Sequence, residues 1–158
     1  MKKRILSLLL ALVMVLVLVP TVALAEDTPA MSGTCGASGN ENNVKWELTD
    51  VDGDGKYTLT ISGTGAMKNF TVNSKNDDRP WKDFISSITK GVVAQGVTNV
   101  GDRSFYNCSS MTSVELTDGI ILITGGAFEN CTSLTSLTLP KGLEKFGGNA
   151  FKGCTGLT

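Results

Sequence analysis

The sequence predicts a capped solenoid: an α/β-type repeat with a parallel sheet of short strands, preceded by a β-hairpin plus a short helix cap. Three observations predict it. Phe105, Phe128 and Phe151 recur every 23 residues, and Cys108, Cys131 and Cys154 keep the same spacing. Two runs ahead of them alternate apolar and polar residues around a turn of Asp and Gly. Beyond that hairpin, Pro80 opens a short stretch with helical apolar spacing.

Composition sets limits on chemistry. The 158 residues include 14 basic and 15 acidic side chains, for a formal net charge of −1. There is no His, so no Ser-His-Asp or Cys-His nucleophile and no His-ligated metal site can be assembled. Balanced charge lacks the electrostatic footprint of a nucleic-acid binder. At 41% apolar and 18% charged residues, the chain has the composition of a folded domain.

Residues 1–25 read as a signal peptide. Lys2, Lys3 and Arg4 precede an apolar run over residues 5–19 that only Ser7 interrupts, and Pro20 ends it. Ala23 and Ala25 supply small residues for cleavage after Ala25. The run is shorter than the roughly 20 residues a spanning helix needs, so no membrane span is expected in the mature chain. A lipoprotein anchor would need a Cys directly after the run, and the first is Cys35. The expected location is therefore secreted or at the cell surface. Cleavage removes Lys2, Lys3 and Arg4 and no acid, taking the net charge from −1 to −4.

Residues 26–43 are small and polar and read as a mobile lead-in. Residues 44–96 read as an N-terminal capping region. Val44, Trp46 and Leu48 alternate with polar residues, as do Tyr57, Leu59 and Ile61, and Asp52-Gly53-Asp54-Gly55 between them reads as a hairpin turn. Trp81, Phe84, Ile85 and Ile88 follow Pro80 at helical spacing, which predicts one short amphipathic helix. Val92, Val93 and Gly96 look like the end of a degenerate first repeat. Gly91 stands where a strand residue belongs, 23 before Val114, so full strand pairing is not expected there.

Residues 97–158 are the repeats, the last one truncated. Val97, Ile120 and Leu143 share a phase of 23, as do Val100, Ile123 and Phe146, and Met111, Leu134 and Leu157. That period lies in the leucine-rich-repeat range of about 20–29 residues. Leu134, Leu137 and Leu139 carry the strand pattern, with Ile120, Ile123, Ala127, Phe128, Cys131, Leu134, Leu137 and Leu139 facing inward. One strand per coil is expected, with turns on the convex side. Burying each larger side chain contributes roughly 1.5–3 kcal/mol. Ordering each residue costs roughly 1–2 kcal/mol, so a lone coil is unstable and the coils must stack.

The run Ile123-Thr124-Gly125-Gly126-Ala127-Phe128-Glu129-Asn130-Cys131, leading to Leu134, Leu137, Leu139 and Pro140, resembles the BspA-like leucine-rich repeat of bacterial surface proteins. Ala150, Phe151 and Cys154 repeat its core, while the first copy has Ser104 for the Ala and Met111 for the first Leu. Gly33-Thr34-Cys35-Gly36, the stretch 61–67 and Pro80-Trp81 resemble the leader of such proteins. The resemblance implies a leucine-rich-repeat solenoid and a role in adhesion to host or matrix proteins.

Candidate sites are few. Asp50, Asp52, Asp54 and Gly55 begin like a calcium loop, but Ile61 stands where the closing acid belongs, so they read as an acidic turn. Gly63-Thr64-Gly65 follows a strand with no βαβ unit after it and reads as a turn. The three cysteines of the repeat read as a stack of small buried thiols. Ser113, Glu115, Ser136 and Thr138 point away from the core and would lie on the concave sheet, where solenoids bind. No catalytic residues, metal or cofactor are expected, and the chain does not read as an enzyme.

The expected function is a protein-binding or adhesion module for a host, matrix or cell-surface protein, with no nucleic-acid partner. The alternative is an accessory repeat region of a secreted enzyme whose catalytic domain lies beyond residue 158. The third unit stops at Thr158, before its own strand positions, which predicts that these residues are the N-terminal portion of a longer product.

Overall fold

A computed structural model describes residues 31–158. The signal peptide, its cleavage after Ala25 and residues 26–30 of the lead-in lie outside the described residues.

Ten strands follow one another among the described residues. They are β1 (Met31–Thr34), β2 (Val44–Thr49), β3 (Tyr57–Gly63), β4 (Gly65–Ala66) and β5 (Ile88–Val93). After these come β6 (Val97–Val100), β7 (Ser113–Leu116), β8 (Leu122–Ile123), β9 (Ser136–Leu137) and β10 (Lys145–Phe146). A six-stranded sheet runs β1-β2-β3-β5-β7-β9, and a four-stranded sheet runs β10-β8-β6-β4. Each full coil therefore carries two strands, not the single one expected. The phase-mates Val100, Ile123 and Phe146 pair in parallel across β6, β8 and β10 and make the second ladder.

The hairpin is not a separate plug. β2 and β3 are antiparallel, and β3 then pairs in parallel with β5, so the cap continues the repeat sheet. Part of the expected lead-in forms a strand. β1 pairs with β2, with Gly33 opposite Trp46, and a Cβ on Gly33 would come within 2.6 Å of the indole nitrogen. The missing side chain lets the strand close over the Trp46 ring.

The helix expected after Pro80 is replaced by one 3-10 turn, Lys82–Phe84. The Phe84 amide donates to Trp81 O and the Ser87 amide to Phe84 O, at 3.0 and 2.8 Å. Ser87 O already accepts from the Tyr57 amide at 2.8 Å, and β5 starts at Ile88, so the sheet takes the chain before a second helical turn can form. The apolar spacing was real: Trp81 and Ile88 are buried, and Phe84 and Ile85 pack beside them.

Gly91 does not interrupt pairing. It sits in register between Leu59 and Val114. A Cβ there would meet Phe105 at 3.0 Å, Val114 at 3.1 Å and Met111 at 3.2 Å. The neighbouring coil fills the space a strand residue would take. Gly91→Val is therefore expected to lower stability by about 1–3 kcal/mol through overpacking, read as a shifted urea midpoint.

Down the middle runs a file of rings. Phe105 and Phe128 stack at 5.1 Å and 12°, and Phe128 and Phe151 at 5.4 Å and 4°. Trp46, Phe70 and Trp81 form an aromatic cluster in the same core at the cap end. Each turn around a Phe needs two left-handed residues. Arg103, Gly126 and Asn149 fill the first place, with φ of 52°, 60° and 62°. Asn107, Asn130 and Gly153 fill the second, with φ of 60°, 63° and 76°. Gly and Asn are the residues that tolerate this region best. Leu139 is the exception to the inward set: β9 ends at Leu137, and Leu139 is 45% exposed.

Adjacent turns are joined by backbone bonds in one direction. The amides of Arg103, Phe105 and Asn107 donate to Gly125 O, Ala127 O and Glu129 O at 3.1, 2.8 and 2.9 Å. The same bonds recur from Gly126, Phe128 and Asn130 to the next turn. At the first turn the equivalent acceptors have no coil before them, and the cap supplies the donors. Asp102 O takes the Phe70 amide at 3.0 Å. Ser104 O takes Trp81 Nε1 at 3.0 Å, and Tyr106 O takes Arg79 Nη1 at 2.7 Å.

Candidate functional site

The solvent-facing side of the six-stranded sheet is the candidate site. Alternation puts every second side chain of a strand on that face. Register then sets the rows. Ser113 lies opposite Lys90 on one side and Ser136 on the other. Glu115 lies opposite Val92. Of the residues singled out from sequence, Glu115, Ser136 and Thr138 are exposed and Ser113 is half-buried. Ser113 and Ser136 are direct partners, and Glu115 and Thr138 lie two residues further along their chains.

The structure enlarges this patch toward the cap. Thr58 pairs with Lys90 and Thr60 with Val92, and Thr49 and Glu47 stand opposite those threonines on β2. The face is thus a continuous surface of hydroxyls with a few charges. Lys90 Nζ reaches Glu115 Oε1 at 2.6 Å across β5 and β7. Both side chains are well exposed, so the pair contributes about 0–1 kcal/mol. The sequence held a signal for part of this extension: Lys90 and Val92 stand 23 residues before Ser113 and Glu115. Thr58 and Thr60 carried no such signal, because a hairpin strand joining a repeat sheet in parallel leaves no periodic trace. Ser136→Ala is expected to change stability by less than about 0.5 kcal/mol, as judged by thermal unfolding.

The cysteines are turned inward. All four cysteines are free. Burial pushes the Cys35 and Cys108 thiols up to about 12 and raises Cys131 and Cys154 too. Cys131 donates to Phe105 O at 3.1 Å and Cys154 to Phe128 O at 3.0 Å. These are neutral donors joining one coil to the last, in an environment opposite to that of a reactive thiolate. In the acidic turn, the Asp50 carboxylate accepts from the amides of Asp54 and Gly55 at 3.2 and 2.9 Å, so it serves the loop's own backbone. Among the described residues, no three His, Cys, Asp or Glu side chains gather as metal ligands. No helix among them is long and apolar enough to cross a membrane.

Residues 83–158 match the family model described as a BspA-type leucine-rich repeat region of six copies. This stretch is a BspA-type leucine-rich repeat region. The BspA-type match begins ahead of β5, so the strand with Gly91 belongs to the repeats although its sequence looked degenerate. Among solved structures, a leucine-rich repeat protein from Eubacterium ventriosum is 31% identical with a TM-score of 0.50, over 75% of this chain and 26% of that one. A leucine-rich repeat protein from T. pallidum is 21% identical with a TM-score of 0.48, over 72% of this chain and 56% of that one. One from Bacteroides ovatus is 19% identical with a TM-score of 0.45, over 68% and 31%. The chain thus spans about a quarter of the first structure and just over half of the second. No curated protein matches it.

Proposed function

We propose that this chain is a secreted or surface-displayed binding module without catalytic activity, and that its six-stranded face adheres to a host, matrix or cell-surface protein. The observation that carries the reading is the continuous solvent-facing sheet. It is mostly polar, it spans cap and repeats, and backbone ladders hold its strands in register. A rigid strand-built platform presents side chains with little entropy left to lose on binding. Ser113, Glu115, Ser136 and Thr138 form its repeat end, with Lys90 between Ser113 and the cap. The BspA-type repeats support the surface role, and the leader sequence supports export.

The test is saturable binding of the chain from residue 26 to a panel of purified matrix and cell-surface proteins. A variant carrying Glu115→Lys and Ser136→Arg is expected to weaken the recovered interaction by about tenfold, a loss of about 1.4 kcal/mol. Its thermal midpoint should match wild type. No saturable partner in the panel, or undiminished binding by the variant, would sink the proposal. Export is checked separately by sequencing the N-terminus of protein recovered outside the cell, which should begin at Glu26.

A further inference from the structure

Between the buried rings of Phe70 and Trp81, the chain makes an excursion that is mostly exposed. It is closed on itself by a bridge from Val72 to Asp77 and by the Asn73 amide on Asn76 O at 2.8 Å. One side chain ties this excursion to the repeats. Arg79 is 2% exposed. Its Nε and Nη2 fork onto the two oxygens of Asp77 at 2.9 and 2.5 Å. Its Nη1 donates to Tyr106 O at 2.7 Å and Arg103 O at 3.3 Å on the first turn.

We propose that residues 71–80 are a strap, hinged at Phe70 and Trp81 and locked by Arg79, which opens as a unit while the coils behind it stay stacked. It is also held by a part-exposed pair, Lys68 with Asp78 at 2.8 Å, which is worth little in water, and at the hinge by the Lys82 amide on Arg79 O at 3.2 Å. The coils have far more. They share two parallel ladders, a row of turn bonds and the phenylalanine file. Segments with exposed backbone and few buried contacts open at lower free energy than the core. The Arg79 guanidinium concentrates the strap's grip at one point, since it serves Asp77 and both carbonyls at once. The Asp77 carboxylate is held below its ordinary pKa despite the burial that opposes this, because the Arg79 bonds and charge outweigh it.

The molecule carries its own reporters. Cys108 lies on the first turn, two residues past Tyr106, whose carbonyl accepts from Arg79 Nη1 at 2.7 Å. Cys131 is the same residue one coil on, and both are buried. An opened strap uncovers Cys108 and leaves Cys131 under the stack.

The test is alkylation of native protein at neutral pH, with each cysteine followed by peptide mass mapping. Arg79→Met is expected to speed Cys108 modification by about tenfold or more and to leave Cys131 within about twofold of wild type. Wild type in rising, sub-denaturing urea provides the second measurement, needing no variant. There Cys108 should react at urea concentrations that leave Cys131 protected. If both cysteines gain reactivity together in either experiment, the strap does not open apart from the coils and the proposal fails. Unchanged Cys108 reactivity in Arg79→Met would overturn the role of Arg79 as the lock.

Discussion

Phe128→Ala is expected to lower unfolding stability by about 3–5 kcal/mol, the largest loss for any residue of the repeats. The ring is fully buried and stacks on Phe105 and on Phe151. Removing it opens a cavity that two neighbours line from opposite sides. Neither can fall into the gap, because each is held by its own turn. Phe151→Ala provides the internal comparison. Phe151 is only half-buried and its outer neighbour is the well-exposed Phe146, so its loss should cost about half as much. Equilibrium urea unfolding checks both. Equal losses would show that stacking on both faces is not what makes Phe128 matter. Domains of this size are typically stable by about 5–15 kcal/mol, so Phe128→Ala is expected to leave a substantial unfolded fraction near physiological temperature.

Trp81→Ala is the second large effect. Trp81 is fully buried between Trp46 and Phe70, with centroids at 5.8 and 5.1 Å. Loss of the ring is expected to cost about 3–5 kcal/mol. Part of that is the hydrogen bond to Ser104 O, and Trp81→Phe isolates it. Phe fills most of the ring's space but donates nothing, so it should cost about 1–3 kcal/mol for the stranded carbonyl. The two residues lie in one contiguous core, so a double variant of Trp81 and Phe128 need not be additive. If Trp81→Phe unfolds at the wild-type urea concentration, the indole is not acting as the donor of an absent coil.

The repeats were legible because solenoid geometry forces residues of one phase into one environment. Phe128, Cys131, Ile120, Ile123 and Leu134 are all fully buried as that rule requires. What the sequence hid was set by contacts outside the period. Trp81, Phe84, Ile85 and Ile88 have helical spacing, but Ser87 is already engaged by Tyr57 and the helix cannot continue. The second sheet escaped notice because β8 and β10 are two residues long, too short to show alternation. Arg79 carries no periodic or motif signal; its burial follows from its pairing with Asp77 and from the unmet carbonyls of the first turn. The candidate face was read at Ser113, Glu115, Ser136 and Thr138. Its extension over Thr58 and Thr60 depends on a parallel pairing between β3 and β5 that no local pattern encodes.

The backbone bonds between the phenylalanine turns all point the same way, and successive junctions reuse the same set. A whole unit of 23 residues can therefore be excised or duplicated and the flanking coils will still meet through the same donors, acceptors and rings. A deletion of any other length would set each amide against the wrong carbonyl from that point onward. In a gene of this kind, recombination between neighbouring copies yields chains of different reach without disturbing the capped end, so length is a trait that can vary while the architecture stays constant.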